Sequence, residues 1–293
     1  MKKINLIKIS LFAACFFGAA FTTFGQNTCG KTDYDCQVNY YRGQISNGSK
    51  DVELYYNLAL ALQNKGDIGA SIDPLDMYVA STAPKPEYRA DAYNLRGWAQ
   101  QQLGKDEIAI QDFSRAIELF PKTYFYRNRG KSYSNLGKFD LGIADATKAI
   151  ELDPKQGLAY FNRGLAYMQQ KNNPPAIADF TKVMELDPDE YEAFYNRGTL
   201  YYRQQQYEPA IKDLDKYLTM NVKDQGNLSD GYNNRGLAKY YLGKTTEAIA
   251  DFTKAIELVP DKKKAYTNRA MAYRKLGKTG LADADDQKAA SLN

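Results

Sequence analysis

The chain has 293 residues, of which 44% are hydrophobic and 25% charged, and it contains no histidine. This composition can bury a substantial core, or several small cores in series, which excludes a disordered polymer. Without histidine, strand patterns or a glycine-rich phosphate loop, the sequence predicts no enzyme, no metal site and no cofactor.

The first predicted element is an N-terminal leader. Residues 1–25 begin with lysines, continue with an apolar run from Ile9 to Phe21 and end in small and polar residues. That run is too short to span a bilayer comfortably and has the order of a secretory signal peptide, with cleavage expected after Gly25. An uncleaved membrane anchor and lipidation at Cys15 are the alternatives.

Loss of the leader would change the charge of the protein. The formal net charge would fall from +4 to +1, because three lysines leave and 36 basic side chains remain against 35 acidic ones. Such a chain lacks the basic field of a nucleic-acid-binding domain, so nucleic acid is excluded as a partner. An exported protein is expected in the periplasm or outside the cell, without a transmembrane span.

Residues 26–51 are predicted to form a tail and a capping helix. Cys29 and Cys36 are the two cysteines left after the leader, and an even pair in an exported protein favours one disulfide. The stretch TDYDCQVNYYRGQIS, 32 to 46, is predicted to form a helix over the next element, tied to the tail by that disulfide.

Residues 52–293 contain seven copies of one pattern. A small residue recurs at intervals of 38, 33, 34, 34, 38 and 34 residues. We number each copy, or unit, so that this residue is position 8, which starts the units near residues 52, 90, 123, 157, 191, 229 and 263. Position 4 is aromatic in every unit, and position 20 is small in every unit. Repetition over this length predicts a stack of similar structural modules.

The stretch AYFNRGLAYMQQKNNPPAIADFTKVMELDP, 159 to 188, resembles the tetratricopeptide repeat, a helix-turn-helix unit of about 34 residues. The resemblance implies an all-α fold in which the seven units stack into a right-handed superhelical solenoid with a concave and a convex face. Small residues at positions 8, 20 and 27 suit the close approach of the two helices of a unit. In the last unit Asp286 replaces the aromatic residue of position 24, so this unit is expected to be the solvated cap.

Position 7 is arginine and position 23 is aspartate in the same six units, whereas the first unit has neither. This co-occurrence indicates that the two residues touch, since the two positions lie on facing helices of a unit. A guanidinium group matches a carboxylate in a bidentate pair. A recurring anion site built from the arginines is the alternative. The predicted ion pairs are Arg96 with Asp112, Arg129 with Asp145, Arg163 with Asp179, Arg197 with Asp213, Arg235 with Asp251 and Arg269 with Asp285.

Position 6 is asparagine in six units, and Leu95 interrupts the series in unit 2. The resemblance places this position on the first helix of each unit, which lines the concave face in the family. Similar superhelices use such an asparagine ladder to hold polypeptide, because an amide matches both polar groups of a peptide backbone. A common helix-surface residue without function is the alternative. The ladder residues are Asn57, Asn128, Asn162, Asn196, Asn234 and Asn268.

Aromatic residues on the same helices favour a binding groove. Trp98, Tyr195 and Tyr202 are predicted to line it, because aromatic side chains are enriched where partners bind, although they are also common in packing. The family's two-carboxylate clamp for chaperone tails requires lysine at position 5 with asparagine at position 9, and no unit has that pair. Capture of a peptide's C-terminal carboxylate is therefore not expected.

The sequence thus predicts an exported, non-enzymatic scaffold that binds peptide or protein in the concave groove, in envelope-associated complex assembly. A small-ligand or glycan-binding solenoid that uses the tyrosine-rich concave face is the alternative. The two 38-residue spacings follow the units that have tyrosine at position 27, Tyr78 and Tyr217. We expect irregular junctions there, at 81–88 and 222–229.

Overall fold

The structure is a computed structural model that describes residues 29–292, so the predicted leader lies outside the described residues. The described part contains fifteen α-helices, one 3-10 turn (Gly69–Ser71) and no β-strand, and none of its helices is long and apolar enough to cross a membrane. Helix α1 (Tyr34–Ser46) precedes seven helix pairs. The pairs are α2 (Glu53–Lys65) with α3 (Ile72–Ala80), α4 (Pro86–Gln102) with α5 (Asp106–Leu119), α6 (Thr123–Asn135) with α7 (Phe139–Leu152), α8 (Gly157–Gln169) with α9 (Asn173–Leu186), α10 (Tyr191–Arg203) with α11 (Tyr207–Thr219), α12 (Gln225–Tyr241) with α13 (Thr245–Leu258), and α14 (Lys263–Lys275) with α15 (Thr279–Ser291).

The helix pairs stack into a solenoid. Each second helix packs against its own first helix and against the first helix of the next unit. First helices of successive units also contact one another, at α4 with α6, α6 with α8, α10 with α12 and α12 with α14. Because the first helices converge, they form the inner, concave side, and the second helices form the outer side. The all-α solenoid predicted from the repeats is confirmed.

Position 8 is where the two helices of a unit come closest. A Cβ atom added to Gly236 would lie 2.7 Å from Cε1 of Phe252, and one added to Gly97 would lie 2.9 Å from Cε1 of Phe113. Real Cβ contacts are longer than this, so a larger residue would push the helices apart.

Position 15 ends the first helix of a unit in the left-handed conformation. Units 4 and 5 place Lys171 (φ 59°) and Gln205 (φ 61°) there, although this conformation costs a non-glycine residue roughly 1 to 2 kcal/mol. The other units use glycine, which adopts it freely. These residues are Gly66, Gly104, Gly137, Gly243 and Gly277.

The two long spacings require a correction. Helices α4 and α12 have 17 residues where the other first helices have 13, so the four extra residues add one helical turn. Tyr217 is 2% exposed and packs where Gly231 of the next unit leaves space. The prediction of irregular segments at 81–88 and 222–229 is wrong for the helical part of each, because the tyrosine is buried and the extra residues continue the helix.

Helix α1 covers the first unit. Val38 packs against Leu58, Ala61 and Leu62 of α2 in one buried cluster. A Cys29–Cys36 disulfide joins this helix to the residues before it, and the side chain of Asp33 caps the helix by accepting a hydrogen bond from the backbone N–H of Cys36. The N-terminal end of the solenoid is therefore closed by a covalently tied helix.

Candidate functional site

The arginines at position 7 lie between the two helices of their units. In all six ion pairs, Nε and Nη2 of the arginine donate to the two carboxylate oxygens of the aspartate at position 23, at 2.5–2.9 Å. The aspartates are only 4–7% exposed. Hydrogen bonding to Asp179 raises the pKa of Arg163, so this guanidinium group stays charged. Each of these guanidinium groups is occupied by the protein itself, which gives no support to a recurring anion site.

The third nitrogen of each arginine reaches the preceding unit. Nη1 of Arg163, for example, donates to Oγ1 of Thr147 at 3.0 Å. Sequence reasoning missed this contact, although position 25 offers an oxygen in every unit that precedes an arginine. Each arginine therefore joins three helices. The acceptors are Asp76, Ser114, Thr147, Thr181, Asp215 and Thr253, at 2.7–3.0 Å.

Aromatic rings cover these arginines. The guanidinium carbon of Arg163 lies 5.6 Å from the ring centroid of Tyr160 at position 4, and similar contacts occur at Arg96, Arg129, Arg235 and Arg269. Such cation–π contacts are favourable at this distance. They give the aromatic residue of position 4 an architectural role.

The asparagines of the ladder lie on the first helices and are partly buried. In three of them Nδ2 donates to an oxygen at position 5 of the preceding unit, so part of their hydrogen-bonding capacity is used inside the solenoid. The contacts are Asn128 to Asn94 at 2.9 Å, Asn234 to the hydroxyl of Tyr195 at 3.2 Å and Asn268 to Asn233 at 2.8 Å.

The ladder asparagines of units 4 and 5 differ from these three because their amides are not used inside the solenoid. Asn162 and Asn196 form no side-chain hydrogen bond with any residue in the described part of the chain, and the same holds for Asn57 in unit 1. The reason lies at position 5 of the preceding unit, which is Arg127 before Asn162 and Phe161 before Asn196. Neither side chain offers an acceptor. We call the inner face of α6, α8 and α10 the central groove; it has two neighbouring amides with unused capacity.

The three predicted aromatic residues do not form one surface. Tyr195 is packed rather than open, since its ring centroid lies 5.2 Å from that of Tyr217 and burial raises its pKa to about 12. Tyr202 near the end of α10 and Tyr241 at the end of α12 form a tyrosine cluster with Tyr207, which begins α11. Trp98 is partly buried on α4 in unit 2, away from both.

Two cavities lie outside the central groove. One, of about 370 Å³, is lined by residues that include Arg197, Tyr201 and Asp213, and the other, of about 280 Å³, lies between α1, α2 and α3. No group of three or more carboxylate or cysteine side chains within residues 29–292 is arranged to hold a metal ion.

The repeated helix pairs define the class of protein, a helical-repeat solenoid. Four family models described as tetratricopeptide repeat match the chain. The chain therefore contains tetratricopeptide repeats, by matches that begin with the second unit. The matched residues are 90–122 and 229–262, 127–183, 163–226, and 263–293.

Three solved structures with the same fold are matched by this chain over most of their length. A MamA crystal structure is 26% identical with a TM-score of 0.52, over 56% of this chain and 93% of that one. YrrB, described as a TPR protein with an unusual peptide-binding site, is 23% identical with a TM-score of 0.55, over 62% and 92%. A tetratricopeptide repeat protein from Parabacteroides merdae ATCC 43184 is 21% identical with a TM-score of 0.61, over 84% and 94%. The search of curated proteins gives no match.

Proposed function

We propose that this protein is an exported, non-enzymatic scaffold that binds an extended polypeptide along the central groove. The observation that carries the proposal is the pair of amides at Asn162 and Asn196, which are partly exposed and lack a partner among residues 29–292. A side-chain amide can donate to a backbone carbonyl and accept from a backbone N–H. Unused amides at the same position of successive units suit a ligand that is itself periodic, and a peptide backbone is such a ligand.

The charged groups support a binding role rather than catalysis. The six buried aspartates of position 23 are carboxylates that could serve as acids or bases, but each is held by two hydrogen bonds from its own arginine. A carboxylate held in this way is committed to structure. YrrB, with its peptide-binding site, is an example of this fold in a peptide-binding protein.

Export is supported by two features. The Cys29–Cys36 disulfide suits an oxidising compartment, and the order of charged, apolar and small residues in 1–25 suits a signal peptide. An exported scaffold with a groove over several units would act in assembling complexes of the cell envelope.

A glycan-binding role is the second candidate, favoured by the tyrosine cluster. The rings of Tyr207 and Tyr241 stack with centroids 5.6 Å apart, and Tyr241 is 51% exposed, which leaves an aromatic surface on which a sugar ring could lie. This surface is separate from the free amides, so substitutions distinguish the two roles.

The test begins with a phage-displayed library of random peptides selected on the immobilised full-length protein. The affinity of an enriched peptide is then measured by fluorescence polarisation for the wild type and for Asn162→Ala/Asn196→Ala. Loss of two hydrogen bonds of about 0.5 to 1.5 kcal/mol each should weaken binding roughly 5- to 150-fold.

The matched control is Asn128→Ala/Asn268→Ala, which changes the same position in units where the amide already has a partner. This control should weaken binding less than about threefold. Failure to enrich any peptide, or unchanged affinity in Asn162→Ala/Asn196→Ala, would contradict the proposal. Loss of peptide binding in Tyr241→Ala instead would move the site to the tyrosine cluster.

A further inference from the structure

Helix α8 carries an apolar stripe in the central groove. Four apolar residues follow one another at spacings of three, four and three residues, which places them on one face of the helix together with Asn162. Leu158 is 48% exposed. The other three, Phe161, Leu165 and Met168, are partly buried. A single exposed leucine is common on protein surfaces, whereas a row of apolar side chains along an open groove marks an interaction surface.

The stripe belongs to unit 4 alone. At position 2, where α8 has Leu158, five of the other six units have a charged residue. Over positions 2, 5, 9 and 12, every other unit has at least two side chains that are charged or carry an amide or an aliphatic hydroxyl group. The fold therefore accepts polar side chains at these positions, and the repeat itself does not require the apolar choice of unit 4.

The core of units 4 and 5 holds the stripe in place. Phe161, Leu165 and Met168 pack against a buried cluster that includes Phe180 and Leu200. The rings of Phe161 and Phe180 meet edge to face with centroids 5.7 Å apart. Because these side chains are already fixed by their neighbours, a ligand that covers their exposed parts loses little affinity to side-chain ordering.

Asn162 divides the stripe into two patches. Leu158 and Phe161 precede it along α8 and form the leading patch, and Leu165 and Met168 follow it and form the trailing patch. In an extended chain the backbone N–H and C=O groups point at right angles to the side chains, and successive side chains point to opposite sides. A backbone that crosses α8 and bonds to the amide of Asn162 therefore directs its side chains to the two patches alternately.

We infer that the central groove selects an extended polypeptide with two adjacent apolar residues, one on each patch. The amides of Asn162 and Asn196, which have no hydrogen-bond partner within residues 29–292, identify the occupant as polypeptide. They occupy the same position on α8 and α10, so together they direct a backbone across both helices. Backbone-binding amides with an apolar surface on either side fit a peptide of this kind. This inference rests on the proposed function and adds the class of peptide.

The random peptide library tests the inference. Peptides enriched on the wild-type protein should contain two adjacent apolar residues several times more often than the unselected library. Selection on Leu158→Gln/Met168→Gln, which makes one residue of each patch polar, should abolish this preference. Unit 2 has polar residues at the same two positions, Asp91 and Gln101, so the variant should fold, and circular dichroism melting verifies this. Apolar residues enriched only at every second position would contradict the inference, since such side chains point to one side.

The matched control is Leu152→Gln. Leu152 ends the outer helix α7 and is 47% exposed, against 48% for Leu158, so its replacement removes an equally exposed leucine outside the groove. The apolar preference should remain unchanged in this control. A loss of the preference in Leu152→Gln as well would show that the enriched peptides adhere to exposed leucines in general, and the inference would be wrong.

An affinity measurement by fluorescence polarisation then follows with one enriched peptide. Replacing either of its two apolar residues by serine should weaken binding to the wild type about 5- to 20-fold, because the contact with one patch is lost. The same replacement should have less than about a threefold effect on Leu158→Gln/Met168→Gln, where the patches are already weakened. Equal effects on the two proteins would show that the apolar residues of the peptide bind elsewhere.

The outcomes separate the two proposals. If peptides are enriched and depend on Asn162 and Asn196 but contain no apolar pair, or keep the pair on Leu158→Gln/Met168→Gln, the inference is wrong and the proposed function stands. If analytical ultracentrifugation shows a dimer for the wild type and a monomer for this variant, a second copy of the chain covers the stripe, and the peptide assignment is wrong. If no peptide is enriched, both proposals fail.

Discussion

Two neighbouring positions of the repeat, 6 and 7, place their side chains in two different environments. The arginine at position 7 turns between the helices, where all three of its guanidinium nitrogens donate to protein oxygens. The asparagine at position 6 turns to the inner side, where Asn162 and Asn196 have no hydrogen-bond partner among the described residues. Both residues are repeated equally often, so repetition alone does not distinguish architecture from binding. The two positions differ in how many hydrogen-bond partners each polar group has within the described chain.

The largest expected effect is a loss of stability when an arginine of position 7 is removed from its ion pair. Arg163→Leu should destabilise the protein by about 3 to 5 kcal/mol, because Asp179, only 4% exposed, would keep a buried charge without a partner. Arg163→Leu with Asp179→Leu should recover much of that loss, since no charge is then left unpaired. Urea unfolding followed by circular dichroism measures both. Additive losses in the double variant would show that the two residues do not depend on each other.

A smaller effect is expected where the arginine reaches the preceding unit. Thr147→Val removes the hydroxyl that accepts from Nη1 of Arg163 and keeps the shape of the side chain. A hydrogen bond to a charged group contributes about 1.5 to 3 kcal/mol, and the lower end is expected here because water can reach the arginine. The same unfolding measurement applies. Thr219→Val, which removes a local bond at an exposed helix end, is the control and should change stability by less than about 0.5 kcal/mol.

The smallest expected effect is a difference in stability between alanine variants of two ladder asparagines. Asn128→Ala loses the bond to Asn94 and two longer ones from Arg127 at 3.3–3.4 Å, whereas Asn162→Ala loses none within the described chain. Alanine favours the helix equally at both positions, so that contribution cancels in the comparison. Asn128→Ala should be less stable than Asn162→Ala by about 0.5 to 1.5 kcal/mol. Equal stabilities would place the two amides in the same environment and remove the basis for a distinct central groove.

Much of the fold could be predicted from the sequence because its signals repeat. The small residue of position 8 set the number and spacing of the units, and the joint occurrence of arginine and aspartate indicated their contact. The contact to the preceding unit was missed because position 25 varies among serine, threonine and aspartate, which hides their common oxygen. The long spacings were misinterpreted, although four residues are close to one helical turn and can extend a helix without changing its face.

The candidate site was harder to predict. Whether a ladder asparagine is free depends on position 5 of the preceding unit, and that residue differs from unit to unit, as Asn94, Arg127 and Phe161 show. A single-unit pattern cannot describe a contact between units.

The acceptors of position 25 also determine how folding spreads along the solenoid. Neighbouring units of a repeat protein are thermodynamically linked, and the reach of Nη1 into the preceding unit is one such link. Most of these links end on a neutral hydroxyl, but the links from Arg96 of unit 2 and Arg235 of unit 6 end on Asp76 of unit 1 and Asp215 of unit 5, whose side chains are 53% and 52% exposed. Added salt screens exposed ion pairs and leaves neutral hydrogen bonds almost unchanged. Added salt is therefore expected to weaken this link between units 1 and 2 and between units 5 and 6 more than the other links of the described chain.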